Sequence, residues 1–288
     1  MNYEQFIDVM LDYVKSKVPD TDLVEVQEVK KNNGVKVVGI VIRREGCNIA
    51  PVVYLEEFYK RYLAGAPVEW LSEQLLHRSR LAPPAPLQAY EKIFEFSQIQ
   101  DKIVYKLINA KENEALLKQV PHLPILDLAI VFCVLLQVSA EESGTILIKN
   151  GNMEEWKCPI SMLYEKAKEN TQKLCPPVLR LLTDFMGEFG EELAGKCPLY
   201  VLTNQSGIQG AAVLLYPDIP QKIYKAVGGN YYLLPSSVHE FLIIAEDYGV
   251  APENLKAIVQ EVNETQLCKE EFLSDQIYYF NGDIITEM

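Results

Sequence analysis

The chain has 288 residues, of which 49% are hydrophobic and 23% are charged, proportions typical of folded globular proteins. It carries 27 lysine and arginine residues against 40 aspartate and glutamate residues, so its formal net charge at pH 7 is −13. This much apolar surface excludes an intrinsically disordered chain. The length allows about one or two domains with a sizeable core.

The acidic excess is concentrated in the last third of the sequence. Residues 1–80 contain 11 basic and 12 acidic side chains, whereas residues 201–288 contain 4 basic and 12 acidic ones. Such a charge repels phosphate groups, so we expect no nonspecific binding to nucleic acid or anionic membranes. The longest apolar run, residues 128–136, is far shorter than the roughly 20 residues of a membrane-spanning helix.

Cysteine usage and motif content narrow the chemistry further. The six cysteines are dispersed without a Cys-x-x-Cys pair, which favours free thiols in a reducing compartment. No histidine lies near a cysteine at metal-ligand spacing, and no nucleotide, zinc-peptidase or hydrolase motif is present, so no metal site and no cofactor is expected. The first residues lack the pattern of a signal peptide, and we expect a cytoplasmic protein.

The first 80 residues predict an N-terminal module of helices and strands. Apolar residues recur at helical spacing from Tyr3 to Val14 and predict a helix that ends near Pro19. Asn32-Asn33-Gly34 supplies the turn of a β-hairpin. The predicted elements after that helix are strands over 23–29, 35–42 and 50–55 and helices over 58–63 and 67–77.

Three prolines within residues 81–87 predict an extended linker, because proline disrupts both helices and central strands. We therefore divide the chain into an N-terminal module (1–80), a linker and lead-in (81–100), a central module (101–195) and an acidic C-terminal module (196–288).

The remaining patterns alternate between short strands and helices. In the central module they predict strands over 102–108, 125–136 and 145–149, and helices over 113–119, 153–157, 160–170 and 178–193. In the C-terminal module they predict strands over 199–202, 210–216, 231–234, 241–245, 277–280 and 283–285, and helices over 219–227 and 252–262. This succession predicts an α+β fold of small, mostly antiparallel sheets backed by helices. A similar strand–helix–helix pattern before Pro67 and Pro159 leaves open whether the modules are repeats.

The densest polar cluster is Ser236, Ser237, His239 and Glu240, between two predicted strands. A hydroxyl beside a histidine and a carboxylate is the composition of a nucleophile with its base. Residues of one short turn seldom reach that geometry, so local turn hydrogen bonds and a contact to a ligand or partner remain alternatives.

Four further candidate binding residues lie at the ends of predicted elements. Asn109 precedes a predicted helix, where anions bind, although capping is the ordinary role of such a residue. His122, Asp127 and Asn204 lie in predicted turns or caps. The 16 tyrosines include several clusters, which favour either a protein interface or plain packing.

Several motifs together resemble a family of uncharacterised proteins. They are residues 101–109, 120–122, 126–132, 200–204, 233–240 and 262–266. That family is common in gut anaerobic Firmicutes, often in accessory or mobile-element regions. The resemblance extends from about Asn32 to Asp275, and it implies no particular activity.

Two function hypotheses follow. The first is a non-catalytic cytoplasmic binding or regulatory protein that acts through contact with another protein, with its oligomeric state open; it rests on the missing cofactor motifs, the tyrosines and the acidic charge. The alternative is a hydrolase or small-ligand-binding protein with a site around Ser237, His239 and Glu240, which Asn109, His122 or Asn204 would join.

Overall fold

A computed structural model describes residues 1–45, 50, 52–81, 95–137, 143–185 and 199–288. The chain forms two compact units, one of residues 1–99 with 137–143 and the other of residues 100–136 with 144–288. The prolines of the predicted linker lie outside the described residues. Apart from Gln137 and Ser143, the described residues of the predicted central and C-terminal modules belong to the second unit.

The first unit contains a three-stranded antiparallel sheet with helices on one face. Its helices are α1 (Tyr3–Lys17), α2 (Glu56–Leu63) and α3 (Val68–Leu81), followed by a single turn at Phe96–Ile99. Its strands are β1 (Leu23–Lys30), β2 (Lys36–Arg43) and β3 (Val52–Tyr54), in the order β1-β2-β3. The predicted opening helix, hairpin, third strand and two following helices are confirmed.

Local sequence explains this unit. The Asn2 side chain accepts a hydrogen bond from the Gln5 N–H at 2.9 Å, and the Gln5 side chain accepts one from the Asn2 N–H at 3.1 Å. This reciprocal pair forms a capping box at the N-terminus of α1. Asn33 and Gly34 both have positive φ, as a tight hairpin turn requires. The core is formed mainly by Phe6, Met10, Val14, Val24, Ile40, Val53, Leu55, Phe58, Leu71 and Leu75.

The second unit contains two antiparallel sheets. The smaller consists of β4 (Ile103–Asn109), β5 (His122–Ile125), β6 (Leu128–Gln137) and β7 (Ser143–Leu147), with β6 paired to the other three. The larger consists of β8 (Pro177–Leu181), β9 (Tyr200–Asn204), β10 (Tyr231–Ser237), β11 (Glu240–Ala245), β12 (Tyr278–Phe280) and β13 (Ile285–Glu287), in the order β13-β12-β10-β11-β9-β8.

Helices pack against both sheets of this unit. They are α4 (Asn150–Trp156), α5 (Ile160–Leu174), α6 (Ile219–Val227) and α7 (Pro252–Thr265), with a single turn at Glu114–Leu117. Helix α5 packs against β4, and α7 packs against β10. The predicted α+β fold is confirmed. None of the helices within the described ranges is both long and apolar enough to cross a membrane.

The predicted helix over 178–193 is wrong in its described part. Residues Pro177–Leu181 form β8, which pairs with β9, and Leu182–Phe185 form a 3-10 turn. Residues 186–193 lie outside the described residues. Apolar residues at 178, 181, 182 and 185 fit helical spacing. The segment is nevertheless a strand, because it pairs with the edge of β9, and a pattern within the segment cannot reveal a pairing with another part of the chain.

One predicted strand is also wrong, and a second is divided in two. Gly210–Leu215 is a 3-10 helix in which Ala211, Ala212, Val213 and Leu214 are all buried. Because consecutive residues are apolar, the sequence shows neither the alternation of a strand nor the spacing of a helix, and it does not reveal the type of element. The predicted strand over 125–136 is split into β5 and β6 by a turn at Leu126 and Asp127, where Leu126 has φ 53°.

Candidate functional site

The predicted cluster at residues 236–240 forms the tight turn between β10 and β11. Ser237 and Glu240 are the last ladder pair, so Val238 and His239 occupy the turn. Ser237 Oγ accepts a hydrogen bond from the backbone N–H of His239 at 3.0 Å. Ser236 Oγ donates to the Glu240 carboxylate at 3.2 Å. Both serine hydroxyls are therefore engaged within the turn.

The His239 ring is held between two neighbours. Its Nδ1 accepts a hydrogen bond from the backbone N–H of Gln209 at 3.0 Å. Its Nε2 lies 3.7 Å from Oε1 of Glu271. A nitrogen that accepts a hydrogen bond carries no proton, so the neutral ring has its hydrogen on Nε2, toward the Glu271 carboxylate.

The loop after β9 packs against this turn. Thr203 Oγ1 donates to the carbonyl oxygen of His239 at 2.8 Å. Asn204 is buried, and its Nδ2 closes the loop by donating to the carbonyl oxygen of Ile208 at 2.8 Å. A Cβ atom at Gly210 would overlap Thr203 Oγ1 and the His239 carbonyl oxygen. Glycine is therefore required where the loop and the turn meet.

Asn109 and Asp127 form a second polar group at one end of the smaller sheet. Asn109 Nδ2 donates to the carbonyl oxygen of Leu273 at 2.9 Å. The Asp127 carboxylate accepts from Ser274 Oγ at 2.6 Å and from the Tyr278 hydroxyl at 2.5 Å. Burial and the nearby Asp127 carboxylate raise the pKa of Tyr278, so the hydroxyl keeps its proton and remains a donor.

One stretch of chain, residues 269–278, connects the two groups; we call it the tether. At its start, the carbonyl oxygen of Glu271 accepts a hydrogen bond from the N–H of Val238 at 2.8 Å. Its later residues bind Asn109 and Asp127, as described above. The tether also holds α7, because Asn263 Nδ2 donates to the Ser274 carbonyl oxygen at 3.0 Å. The candidate polar residues therefore position the tether and, through it, α7.

His122 belongs to neither group within the described part of the chain. It lies in β5 opposite Val131, and its Nδ1 is 3.1 Å from the carbonyl oxygen of Val120. The structure thus brings Asn204, Ser237 and His239 together at one end of the tether.

Sequence reasoning missed the residues that complete these groups: Gln209, Glu271, Ser274 and Tyr278. Each acts on a residue distant in sequence, and Tyr278 is 151 positions from Asp127. Tyr278 lies in a Tyr-Tyr pair that reads as ordinary strand sequence. No local signal distinguishes it from its neighbour.

The arrangement is suited to holding backbone segments in place. A nucleophile needs its hydroxyl hydrogen-bonded to a base, whereas the residue Ser237 is 7% exposed and its Oγ accepts from a backbone N–H. Nδ1 of His239 is engaged by Gln209. Among the described residues, no group of three or more histidine, cysteine, aspartate or glutamate side chains is placed to hold a metal ion.

Comparisons with known proteins identify a family and nothing more specific. A model of a family of unknown function, DUF5688, matches residues 3–282. No curated protein and no solved structure matches the chain. Because the match covers nearly the whole length, the chain belongs to the DUF5688 family.

Proposed function

We propose that the protein is a non-catalytic cytoplasmic binding or regulatory protein, and that it contacts another protein through the exposed apolar strip that borders the buried face of α7. The observation that carries this proposal is the exposure of Ile258 and Val262, at 52% and 37%. Their spacing of four places them one turn apart on the same face of the helix. Adjacent exposed apolar side chains on a helix are typical of a surface that a partner covers.

The charge around this face indicates the chemistry of the partner. Helix α7 carries Glu253, Glu261 and Glu264. Its single basic residue is Lys256, whose Nζ lies 3.0 Å from the carbonyl oxygen of Met288. Glu261 lies beside Ile258 on the helix surface, and an acidic helix that bears an apolar strip complements a partner helix with lysine or arginine next to its own apolar strip. We therefore assign a basic amphipathic segment of another protein as the occupant.

The rigidity of α7 supports the same role. Leu255 and Val259 on its inner face pack against Tyr232, Leu234 and Ile244, and Asn263 binds the tether. A helix held in this way loses little conformational freedom when it binds a partner, which favours affinity.

The engaged state of the polar residues supports a binding role over the alternative of a hydrolase or small-ligand site at Ser237, His239 and Glu240. Four cysteines, at positions 133, 158, 175 and 268, are free thiols, which suits a reducing cytoplasm. The accessory or mobile-element setting that the resemblance implies suits a protein that modulates another protein.

Site-specific photo-crosslinking tests the proposal. A photoreactive amino acid replaces Ile258 in the full chain, expressed in its native host, and a matched control carries it at Ile284, which is 55% exposed and lies outside α7. We expect position 258, and not 284, to crosslink to a partner segment rich in lysine and arginine.

A binding measurement on the captured segment completes the test. The double variant Ile258→Ser, Val262→Ser should bind a synthetic copy of that segment about tenfold or more weakly, and Ile284→Ser should bind it unchanged. Added salt should weaken the wild-type complex. Identical crosslinking from both positions, or an acidic captured segment, would contradict the proposal.

A further inference from the structure

We propose that two copies of the chain associate through β1, the edge strand of the first unit. β1 has eight residues, six of them exposed, and within the described ranges its ladder is with β2. Leu23 and Val26 are 49% and 40% exposed. A long edge strand that exposes apolar side chains is a template on which another strand can pair. β1 belongs to the first unit and α7 to the second, so this inference does not rest on the proposed function.

The hairpin determines which backbone groups of β1 face outward. The N–H of Lys31 donates to the carbonyl oxygen of Val35 at 2.7 Å, and the ladder continues without a register shift to Leu23. In an antiparallel ladder, backbone groups of alternate residues point to alternate sides. The odd-numbered residues of β1 therefore bond to β2, and the N–H and C=O groups of Val24, Val26 and Glu28 point to the open edge.

A second copy of β1 in antiparallel orientation matches these groups when Val26 faces Val26 of the second copy. Even-numbered residues then face even-numbered residues, so the outward N–H and C=O groups of one copy can form hydrogen bonds with those of the other. Val24 faces Glu28 of the second copy, and Lys30 faces Asp22. Asp22 lies just before β1, so the twofold axis brings a lysine and an aspartate together at each end of the paired strands, and opposite charges facing each other across two strands are stabilising.

Other registers with the same alternation lose this complementarity. A shift of two residues in one direction places Glu25 opposite Glu25 of the second copy, and like charges in that position are destabilising. A shift of two residues in the other direction places Lys30 opposite Val24. The charge pattern of the strand thus selects the register centred on Val26.

The surrounding charges permit the contact. Lys36 Nζ lies 2.9 Å from the Glu28 carboxylate, and Arg43 Nη2 lies 3.3 Å from that of Glu25, both across the hairpin, so each exposed carboxylate is partly offset and keeps part of its charge. Residues 1–80 carry 11 basic and 12 acidic side chains, so repulsion between two copies of this region is small although the whole chain is strongly acidic. In the chosen register, the side chains of Val24 lie on the same face of a continuous six-stranded sheet in both copies.

Sedimentation of the full chain over a range of concentrations tests this inference. We expect a monomer–dimer equilibrium in the wild type. The variant Val26→Pro removes an outward N–H that the β1–β2 ladder does not use, so we expect it to sediment as a monomer with an unchanged circular dichroism spectrum.

A charge swap tests the register independently of any effect of proline on folding. Lys30→Asp or Asp22→Lys alone places like charges together twice, and each should raise the dissociation constant about tenfold at low salt. The double variant Asp22→Lys, Lys30→Asp restores both pairs and should return the constant to near the wild-type value. A wild type that stays monomeric, a dimer unaffected by these changes, or a double variant without recovery would overturn the inference.

Discussion

The hydroxyl of Tyr278 donates a hydrogen bond of 2.5 Å to the carboxylate of Asp127, 151 positions away in the chain. Tyr278 is fully buried, and the same carboxylate accepts a second hydrogen bond from Ser274. This contact joins the turn between β5 and β6 to the tether and to β12. Its loss should therefore affect the stability of the whole second unit.

The variant Tyr278→Phe should lower the free energy of unfolding by about 1–3 kcal/mol, because it leaves the Asp127 carboxylate with an unpaired oxygen. The neighbouring Tyr279 also donates to a carboxylate, that of Glu246 at 3.0 Å, but in an exposed position. Tyr279→Phe should therefore change the free energy by no more than about 0.5 kcal/mol. Urea unfolding measures both, and equal effects would show that the contact to Asp127 has no special role.

Gly210 should not tolerate a methyl group. Its Cβ would overlap Thr203 Oγ1 and the His239 carbonyl oxygen, so Gly210→Ala should destabilise the fold by about 1–3 kcal/mol. Gly151 lies within α4 with open space around it, and Gly151→Ala should stabilise the fold by about 0.5–1 kcal/mol. Thermal unfolding of the two variants checks the opposite signs, and a neutral Gly210→Ala would refute the close approach.

Two neighbouring buried tyrosines should respond differently to loss of their hydroxyls. The Tyr105 hydroxyl is buried and has no hydrogen-bond partner among the residues that the structure describes, so Tyr105→Phe should leave stability unchanged or raise it by up to about 1 kcal/mol. The Tyr216 hydroxyl donates to the carbonyl oxygens of Thr171 and Cys175. Tyr216→Phe should cost about 1–3 kcal/mol. Denaturant titration compares them, and a larger cost at position 105 would contradict the assignment.

Alkaline pH should destabilise the protein through its buried tyrosines. Burial raises the pKa of Tyr105, Tyr216, Tyr231 and Tyr278 well above the usual 10. The unfolded chain loses these protons near pH 10 and the folded chain retains them, so the free energy of unfolding is unaffected below about pH 10 and falls above it. Each retained proton contributes a slope of up to about 1.4 kcal/mol per pH unit.

Tyrosinate absorbance and urea unfolding at a series of pH values measure this effect. Tyr105→Phe removes one retained proton and should make the fall less steep. Complete ionisation of the tyrosines near pH 10 with the fold intact would contradict the prediction.

The role assigned to His239 predicts that an amide can replace its imidazole. Asparagine places an acceptor oxygen near the position of Nδ1, so His239→Asn should keep the bond from Gln209 and the fold, whereas His239→Ala should lose about 1 kcal/mol or more. Unfolding free energies and capture of the crosslinked partner report on both variants. A substrate turned over by the wild type and abolished in His239→Asn would instead support the hydrolase alternative.

Elements that begin or end at a characteristic turn or helix-start residue were predictable from the sequence. The hairpin turn at Asn33 and Gly34, and the start of α7 at Pro252, each depend on the backbone preference of one or two residues. The local pattern predicted the wrong element in two places. At 210–216 the apolar residues follow neither helical nor strand spacing, and at 177–181 the conformation depends on pairing with β9.

The candidate site was predictable only in part for the same reason. Asn109, Asp127 and His239 stand out as polar residues beside apolar strands, and each of them binds a part of the chain that is distant in sequence. Their partners in the tether carry no such signal, because a serine or tyrosine in a turn or strand has many ordinary roles. The hydrogen-bond partners of these residues are determined by how the second unit packs. A short stretch of sequence carries no information about that packing.

The tether imposes an order on how the second unit is built during translation. The strands β4 and β6 emerge from the ribosome early, but Leu273, Ser274 and Tyr278, which satisfy Asn109 and Asp127, follow about 150 residues later. Contacts of such long sequence separation form slowly, because loop closure costs entropy before any contact is gained. The nascent second unit therefore stays incomplete through most of its synthesis, with the Asp127 carboxylate still bound to water. We expect the first unit, whose core residues lie within its first 76 positions, to reach its native packing well before then.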